Sequence, residues 1–251
     1  MSGHSKWSTI KRKKAATDAK RGKLFTQLGR ELTIAAKEGG GDPDVNVRLR
    51  LAIDRARASN MPKDNIERAI ARGTGEAKDG IIIEEVYYEG YAPHGIALIT
   101  FCVTDNRNRA VADIRHTLSK SGGSLGEAGS VSWQFNRVAY FAFSAEGQDE
   151  DEIFELAVEA GADDVIYGDK VIEIIGPVDS YKEISDRLAA AKIESDEAGL
   201  RMVPSNEITL SLEDTLQVLR VIDTLEELDD VQDVYSNLHV AEEMLEQLEV
   251  A

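Results

Sequence analysis

"VAYFAFSAEGQDEDEIFELAVEAGADDVIYGDKVIEIIGPVDSYKEISDRLAAAKIESDEAGLRMVP", Val138–Pro204, is the stretch from which the fold is read. "VAYFAFSA" is apolar and rich in β-formers, and reads as a strand. "DEIFELAVEAG" switches to helical spacing and stops at Gly161. "ADDVIYG" and "KVIEIIG" follow as two strands, "SYKEISDRLAAAK" as a second helix and "LRMVP" as a last strand. The order is βαββαβ, that of a ferredoxin-like sandwich, and it is complete within residues 137–203.

The segments on either side are incomplete alone. "IIIEEVYYEGY" and "GIALITFCVT" read as strands joined by an "APHG" turn. "NRNRAVADIRHTLSKSGG" reads as a helix ending at Gly122, and "VSWQF" as a strand. Beyond Pro204, "EITLSL" reads as a strand, "EDTLQVLRVIDTLEEL" as a helix and "VQDVYSNL" as a strand. Together these pieces supply a second mixed sheet with two helices. The expected architecture is therefore α+β with three domains. A basic helical domain spans 1–79, and a discontinuous α/β domain takes 80–136 plus 204–239. The unit at 137–203 is inserted into the latter, and an acidic helical tail closes the chain at 240–251.

The first region is helical by pattern. "KLFTQLGRELTIAAKEGGG" puts Phe25, Leu28, Leu32 and Ala35 on one stripe, while Lys23, Arg30 and Lys37 recur every seven residues on another face. "DVNVRLRLAIDRARASN" stripes Leu49, Ala52, Ile53 and Ala56, with basic rows at Arg48 and Arg55 and at Arg50 and Arg57. "MPKDNIERAIARGTG" begins a third helix, with Pro62 suited to its first turn.

Charge is split along the chain. Its 251 residues carry a formal net charge of −17. Residues 1–78 hold 18 basic and 9 acidic side chains, a net of +9, and the remainder carries −26. Such asymmetry points to a polyanion-binding face. A Debye length of about 8 Å lets a remote acidic body coexist with it. The arm contributes Lys6, Lys11, Arg12, Lys13, Lys14, Lys20, Arg21 and Lys23, with Trp7 as an aromatic face for stacking. A solubilising tail is the plain alternative. A second candidate is "TDNRNR", Thr104–Arg109, at a strand-to-helix junction. Asp105 or Asn106 can cap the helix, and Arg107 and Arg109 in its first turn suit an arriving anion. Equally, Arg109 could pair with Asp113 one turn on. A third is the Met61–Pro62–Lys63 apex, a contact finger or simply a helix start.

Enzymatic chemistry finds no support. The four histidines are scattered without metal-ligand spacing. No GxSxG elbow is present, and Cys102, the single cysteine, sits in an apolar strand. "SGGSLGEAGS", Ser121–Ser130, follows a helix and lacks the GK[ST] ending of a phosphate loop. No catalytic residue, metal or cofactor is expected. No run of about 18 apolar residues suggests a membrane span, no signal sequence opens the chain, and one cysteine suits a reducing cytoplasm.

"GHSKWSTIKRKKAATDAKRGKLFTQLGREL", "NVRLRLAIDRARASNMPKDNIERAIARGTG", "YEGYAPHGIAL", "TDNRNR" and "KSGGSLGEAGSV" together resemble the YebC/PmpR family, which includes the translational activator of mitochondrial cytochrome oxidase. The resemblance covers essentially the whole chain. It implies a helical N-terminal domain, two α/β domains and no enzyme activity. It also implies a regulator that binds DNA in transcription or acts in translation on stalled ribosomes, through ribosomal or transfer RNA. The matching site candidates are the arm from Lys6 to Lys23, Met61–Lys63 and Asp105–Arg109, to which the residue reading adds Arg30, Arg48 and Arg55. The family turn is usually YEGYGPGG, so Ala92 and His94 replace glycines here, and "NRVAY" stands where a Lys–Gly turn is usual. The absence of a presequence before "GHSKW" suits a bacterial member. A protein partner on the acidic domains is a further expectation. On a third reading, an acidic protein-interaction module, the arm is incidental.

Overall fold

The computed structural model describes residues 18–77, 83–168 and 170–240, with side chains from Gly22 onward except that of Val47. The chain is α+β: a helical N-terminal region, then two four-stranded sheets carrying helices. It separates into two compact units, Asn136–Val203 and the residues up to Phe135 and from Pro204.

In the larger unit three helices come first: α1 Asp18–Gly39, α2 Val47–Ala58 and α3 Lys63–Gly73. Their core is Leu28, Leu32, Ala35, Leu49, Ala52, Ile53, Ala56, Met61, Ile66 and Ala69. Most of these lie on the stripes read from helical spacing. Asn46 fixes the α1–α2 corner. Its Oδ1 accepts from Leu49 N–H at 3.0 Å, while Nδ2 donates to Ala35 O and Gly40 O at 2.8 Å each. One buried amide thus satisfies orphan groups at the end of one helix and the start of the next.

The sheet of this unit has the order β3-β1-β2-β9. Its strands are β1 Glu84–Tyr91, β2 Ala97–Thr104, β3 Ser124–Leu125 and β9 Val231–Ser236, and β1–β2, β1–β3 and β2–β9 pair antiparallel. Every residue of β2 is buried. Leu98 and Cys102 face α4 (Arg107–Lys120) and α7 (Leu212–Glu226), packing with Ile114, Leu118, Val218 and Ile222. Phe101 and Val103 point the other way and meet Ile34 of α1. Cover on both faces is why this strand reads as an unbroken apolar run.

The smaller unit has β4 Phe135–Ser144, α5 Glu150–Glu159, β5 Asp164–Tyr167, β6 Val171–Gly176, α6 Tyr181–Ala190 and β7 Glu197–Pro204, in the sheet order β5-β6-β4-β7. That is the ferredoxin-like arrangement. Ala139, Phe141 and Phe143 alternate onto the helical side with Ile172 and Ile174, against Ile153, Ala157, Ile184 and Leu188.

Three local readings are corrected. "VSWQF" is not a strand. Residues Ser132–Gln134 form a 3-10 turn, and β4 starts only at Phe135. "EITLSL" shrinks to β8, Ile208–Thr209, paired in parallel with β10, Leu238–His239. Met61 is not an exposed apex but 6% exposed and part of the helical core, leaving Pro62 and Lys63 as the outer residues. At "APHG", His94 takes φ 62°, the left-handed backbone that glycine adopts freely, and its Nε2 lies 2.9 Å from Gln217 Oε1. The acidic tail lies outside the described residues from 241 on.

The α1–α3 crossing depends on a missing side chain. A Cβ on Gly73 would stand 2.3 Å from Thr33 O and 2.7 Å from Ala36 Cβ, whereas one on Gly29 meets nothing within 4 Å. Gly73→Ala is expected to destabilise by about 1–3 kcal/mol through overpacking. Gly29→Ala is expected to stabilise by about 0.5–1 kcal/mol through helix propensity. Urea denaturation of the two variants measures both, and equal effects would contradict the crossing.

Candidate nucleic-acid interface

The heptad row of cations on α1 is hydrogen-bonded within the chain, with Lys23 and Arg30 half-buried and Lys37 exposed. Lys23 Nζ donates to Glu226 O at the end of α7. Arg30 donates to Asp229 O and pairs with Asp230 at 2.9 Å. Lys37 Nζ donates to Ile83 O at 3.2 Å, and Gln27 Nε2, between them, reaches Val231 O at 2.7 Å. A cation on the carbonyls closing α7 also complements its macrodipole. Lys23 and Arg30, expected as phosphate contacts, therefore fasten α1 to the sheet.

Asp230 is the centre of this fastening. It is 3% exposed, and its carboxylate takes two bonds from Arg109, Nε and Nη2 at 2.8 Å each, besides the pair with Arg30. Arg109 Nη2 also donates to Asp105 at 2.7 Å. The predicted partner Asp113 is not the one used: the guanidinium turns back across the first turn of α4. The hydrogen bonds that Arg109 donates to Asp230 and then to Asp105 raise its pKa, and the Arg109 bond holds the Asp105 carboxyl below the usual carboxylate range. Asn106 is the cap, its Oδ1 accepting from Arg109 N–H at 3.0 Å. Arg107 is exposed and pairs with Glu84. "TDNRNR" thus holds its anions already, and they are carboxylates of this chain.

On α2, burial alone would depress the Arg48 pKa, but Glu85, Glu38 and Glu31 outweigh it, with Nη2 on Glu85 at 2.8 Å. Arg55 meets Glu31 at 3.2 Å. The outward cations of the described helices are elsewhere. Arg57 is 71% exposed, 3.7 Å from Asp54, and Lys63 is 85% exposed, 3.3 Å from Glu67. Arg68, exposed, lines a groove of about 410 Å³ between α1 and α3 with Arg30, Arg72, Phe25, Met61 and Asp105. This groove brings together Arg30, Met61 and Asp105 from three separate candidate motifs. Sequence reasoning missed Arg68 and Arg72, although their i, i+4 spacing on α3 was available as a signal. Lys6, Trp7, Lys11, Arg12, Lys13 and Lys14 lie outside the described residues. Lys20 and Arg21 are on the backbone of α1, with side chains outside them.

The glycine-rich stretch also binds an anion from within. Glu89 of β1 accepts N–H groups of Gly129, Val131 and Ser132 at 2.7–2.8 Å. Burial alone would raise this carboxyl, yet the three backbone bonds hold it below its ordinary value of 4.5. Burial pushes the Cys102 thiol up to about 12, the state of an inert core group. Among the described residues, no group of three or more His, Cys, Asp or Glu could hold a metal, and no helix is long and apolar enough to cross a membrane.

Comparison with known proteins defines the class. The family model described as TACO1/YebC protein N-terminal domain matches residues 5–76, and that of the TACO1/YebC second and third domain matches residues 83–238. The chain belongs to the TACO1/YebC family. It is similar to a "Probable transcriptional regulatory protein" of Borrelia turicatae, with 52% identity over 97% of this chain and 100% of the relative. A protein of the same name from Chlorobaculum parvum is 52% identical over 99% of each chain. The crystal structure of a conserved hypothetical protein, Aq1575, from Aquifex aeolicus aligns with TM-score 0.80 and 42% identity, covering 91% of this chain and 94% of that one.

Two outcomes follow from these contacts. Asp230→Ala removes the buried acceptor that Arg30 and Arg109 share, leaving them Asp229 O and Asp105, and is expected to cost about 1–3 kcal/mol, against less than about 1 kcal/mol for Arg107→Ala at its exposed pair; chemical denaturation checks both. Glu89 has a lowered folded pKa, so its contribution to stability is full above the ordinary value of 4.5 and is lost as pH falls through the folded one. Thermal melts from pH 7 to pH 3 should therefore fall less steeply for Glu89→Gln, which starts from a lower melting temperature at pH 7.

Proposed function

We propose that this protein is a non-enzymatic, cytoplasmic regulator of gene expression that binds nucleic acid through its N-terminal basic region. The carrying observation is the division of labour among its cations. Lys23, Arg30 and Lys37 are spent on the sheet, while Arg57, Lys63 and Arg68 stand outward on α2 and α3. The arm before α1 adds Lys6, Lys11–Lys14 and their neighbours. Lysines and arginines of this kind contact phosphates, which position a protein without specifying sequence. The acidic remainder limits indiscriminate coating of the polyanion and offers surface to a protein partner.

The names of the relatives, probable transcriptional regulatory proteins, support a role in transcription. One observation favours structured RNA and a role on ribosomes. The exposed face of α3 presents Lys63, Asp64, Glu67 and Arg68, not the row of Asn, Gln and Arg that reads base edges in a major groove.

Fluorescence anisotropy at several salt concentrations tests the reading with promoter duplex, random duplex and structured RNA. Lys11→Gln through Lys14→Gln combined should weaken all binding and reduce the slope of log K against log salt by about 0.7–0.9 per lost phosphate contact. Unchanged affinity and slope would overturn it. A preference for promoter over random duplex assigns transcription. Co-sedimentation with ribosomes that survives DNase assigns translation.

A further inference from the structure

We propose that Trp133 is a stacking platform for an unpaired nucleobase, a second nucleic-acid contact remote in sequence from the basic region. The inference rests on the nucleic-acid reading above and adds the form of ligand this part of the molecule takes. In "VSWQF" an extended chain would put Val131, Trp133 and Phe135 on one face. The fold keeps the first and last inside, at 0% and 7% exposure, and turns the indole out to 75%, the highest value among the exposed large apolar side chains of the described residues. The 3-10 turn Ser132–Gln134 makes that rotation.

The ring is exposed but not loose. Its Nε1–H donates to Ser130 O at 3.1 Å, and Tyr91 OH donates to the same carbonyl at 3.1 Å. Ser132 N–H, immediately before it, is held by Glu89 at 2.8 Å. Gln134 O, immediately after it, accepts from Ser205 N–H at 2.7 Å. The backbone is thus clamped on both sides of a side chain that makes no aromatic or cation–π contact among the described residues.

That geometry selects the ligand. A tryptophan that anchors a protein partner inserts into a pocket and uses its N–H there. Here the polar edge is already closed by Ser130, so what remains is bare π surface. A flat ring held rigidly in water suits a base, every one of which has a π-face. Bases within a duplex are stacked on their neighbours, so the ligand is a single strand, a loop or a splayed base.

The chain has two tryptophans, so Trp7→Phe leaves Trp133 as the sole indole. The full-length Trp7→Phe protein is titrated with fluorescein-labelled twelve-nucleotide oligoadenylate or oligouridylate, and with a labelled twelve-base-pair duplex. Anisotropy reports binding, and unlabelled strands in parallel report indole emission. The expected result is quenching of Trp133 by the single strands and not by the duplex. Trp133→Ala should lose about tenfold in single-strand affinity, Trp133→Phe should retain most of it, and duplex affinity and melting temperature should be unchanged. Single strands that bind without altering Trp133 emission would overturn this inference and leave the basic-region reading standing. No binding of any strand or duplex by the unsubstituted chain, titrated in parallel by anisotropy, would overturn both. Emission that shifts with protein concentration alone would assign the indole to a second copy of the chain and overturn it.

Discussion

A buried carboxylate, Asp230, holds the N-terminal helices to the sheet. It receives Arg30 from α1 and both Nε and Nη2 of Arg109 from α4, while its own carbonyl accepts Val103 N–H from the central strand at 2.9 Å. Taking a carboxylate out of water is costly, and only a nearly complete set of donors offsets it. The fork of Arg109 and one nitrogen of Arg30 supply that set. Three elements distant in sequence therefore have one arrangement in which the charge is satisfied, and the position of α1 follows from it.

With α1 so placed, β2 becomes a strand covered on both faces. Ile34 closes the side that α4 and α7 leave open, and Phe101 and Val103 go into the interior instead of water. Burial of a large apolar side chain contributes about 1.5–3 kcal/mol, so the hydrophobic term and the ion-pair geometry favour the same docking. The remaining contacts of α1, Lys23 to Glu226 O and Gln27 to Val231 O, lie along the same line.

Helices and strands were legible wherever burial imposes a period. Leu28, Leu32 and Ala35, or Ala139, Phe141 and Phe143, declare their elements because one face meets a core and the other does not. Polar roles were less legible. A lysine or arginine every seventh residue looks the same whether it meets phosphates or backbone carbonyls, so Lys23 and Arg30 were open to misreading. Asp230 is one acid among 46 acidic residues, and nothing local distinguishes it from the solvated ones. "VSWQF" misled for the opposite reason: its alternation is that of a strand, but hydrogen bonds from Val131 and Ser132 to Glu89, a residue over forty positions away, shape the turn before it. Arg109 had a partner visible in sequence, Asp113, and chose two others because one of them is buried and bidentate.

The burial of Cys102 has a practical consequence. It is the single cysteine of the chain, wholly inaccessible, with its thiolate strongly disfavoured. The folded protein therefore presents no competing thiol to alkylating or maleimide reagents. A cysteine placed at an exposed position such as Ser132 or Glu67 would be modified alone, so spin labels or fluorophores can be attached at chosen surface points without first removing a native sulfur.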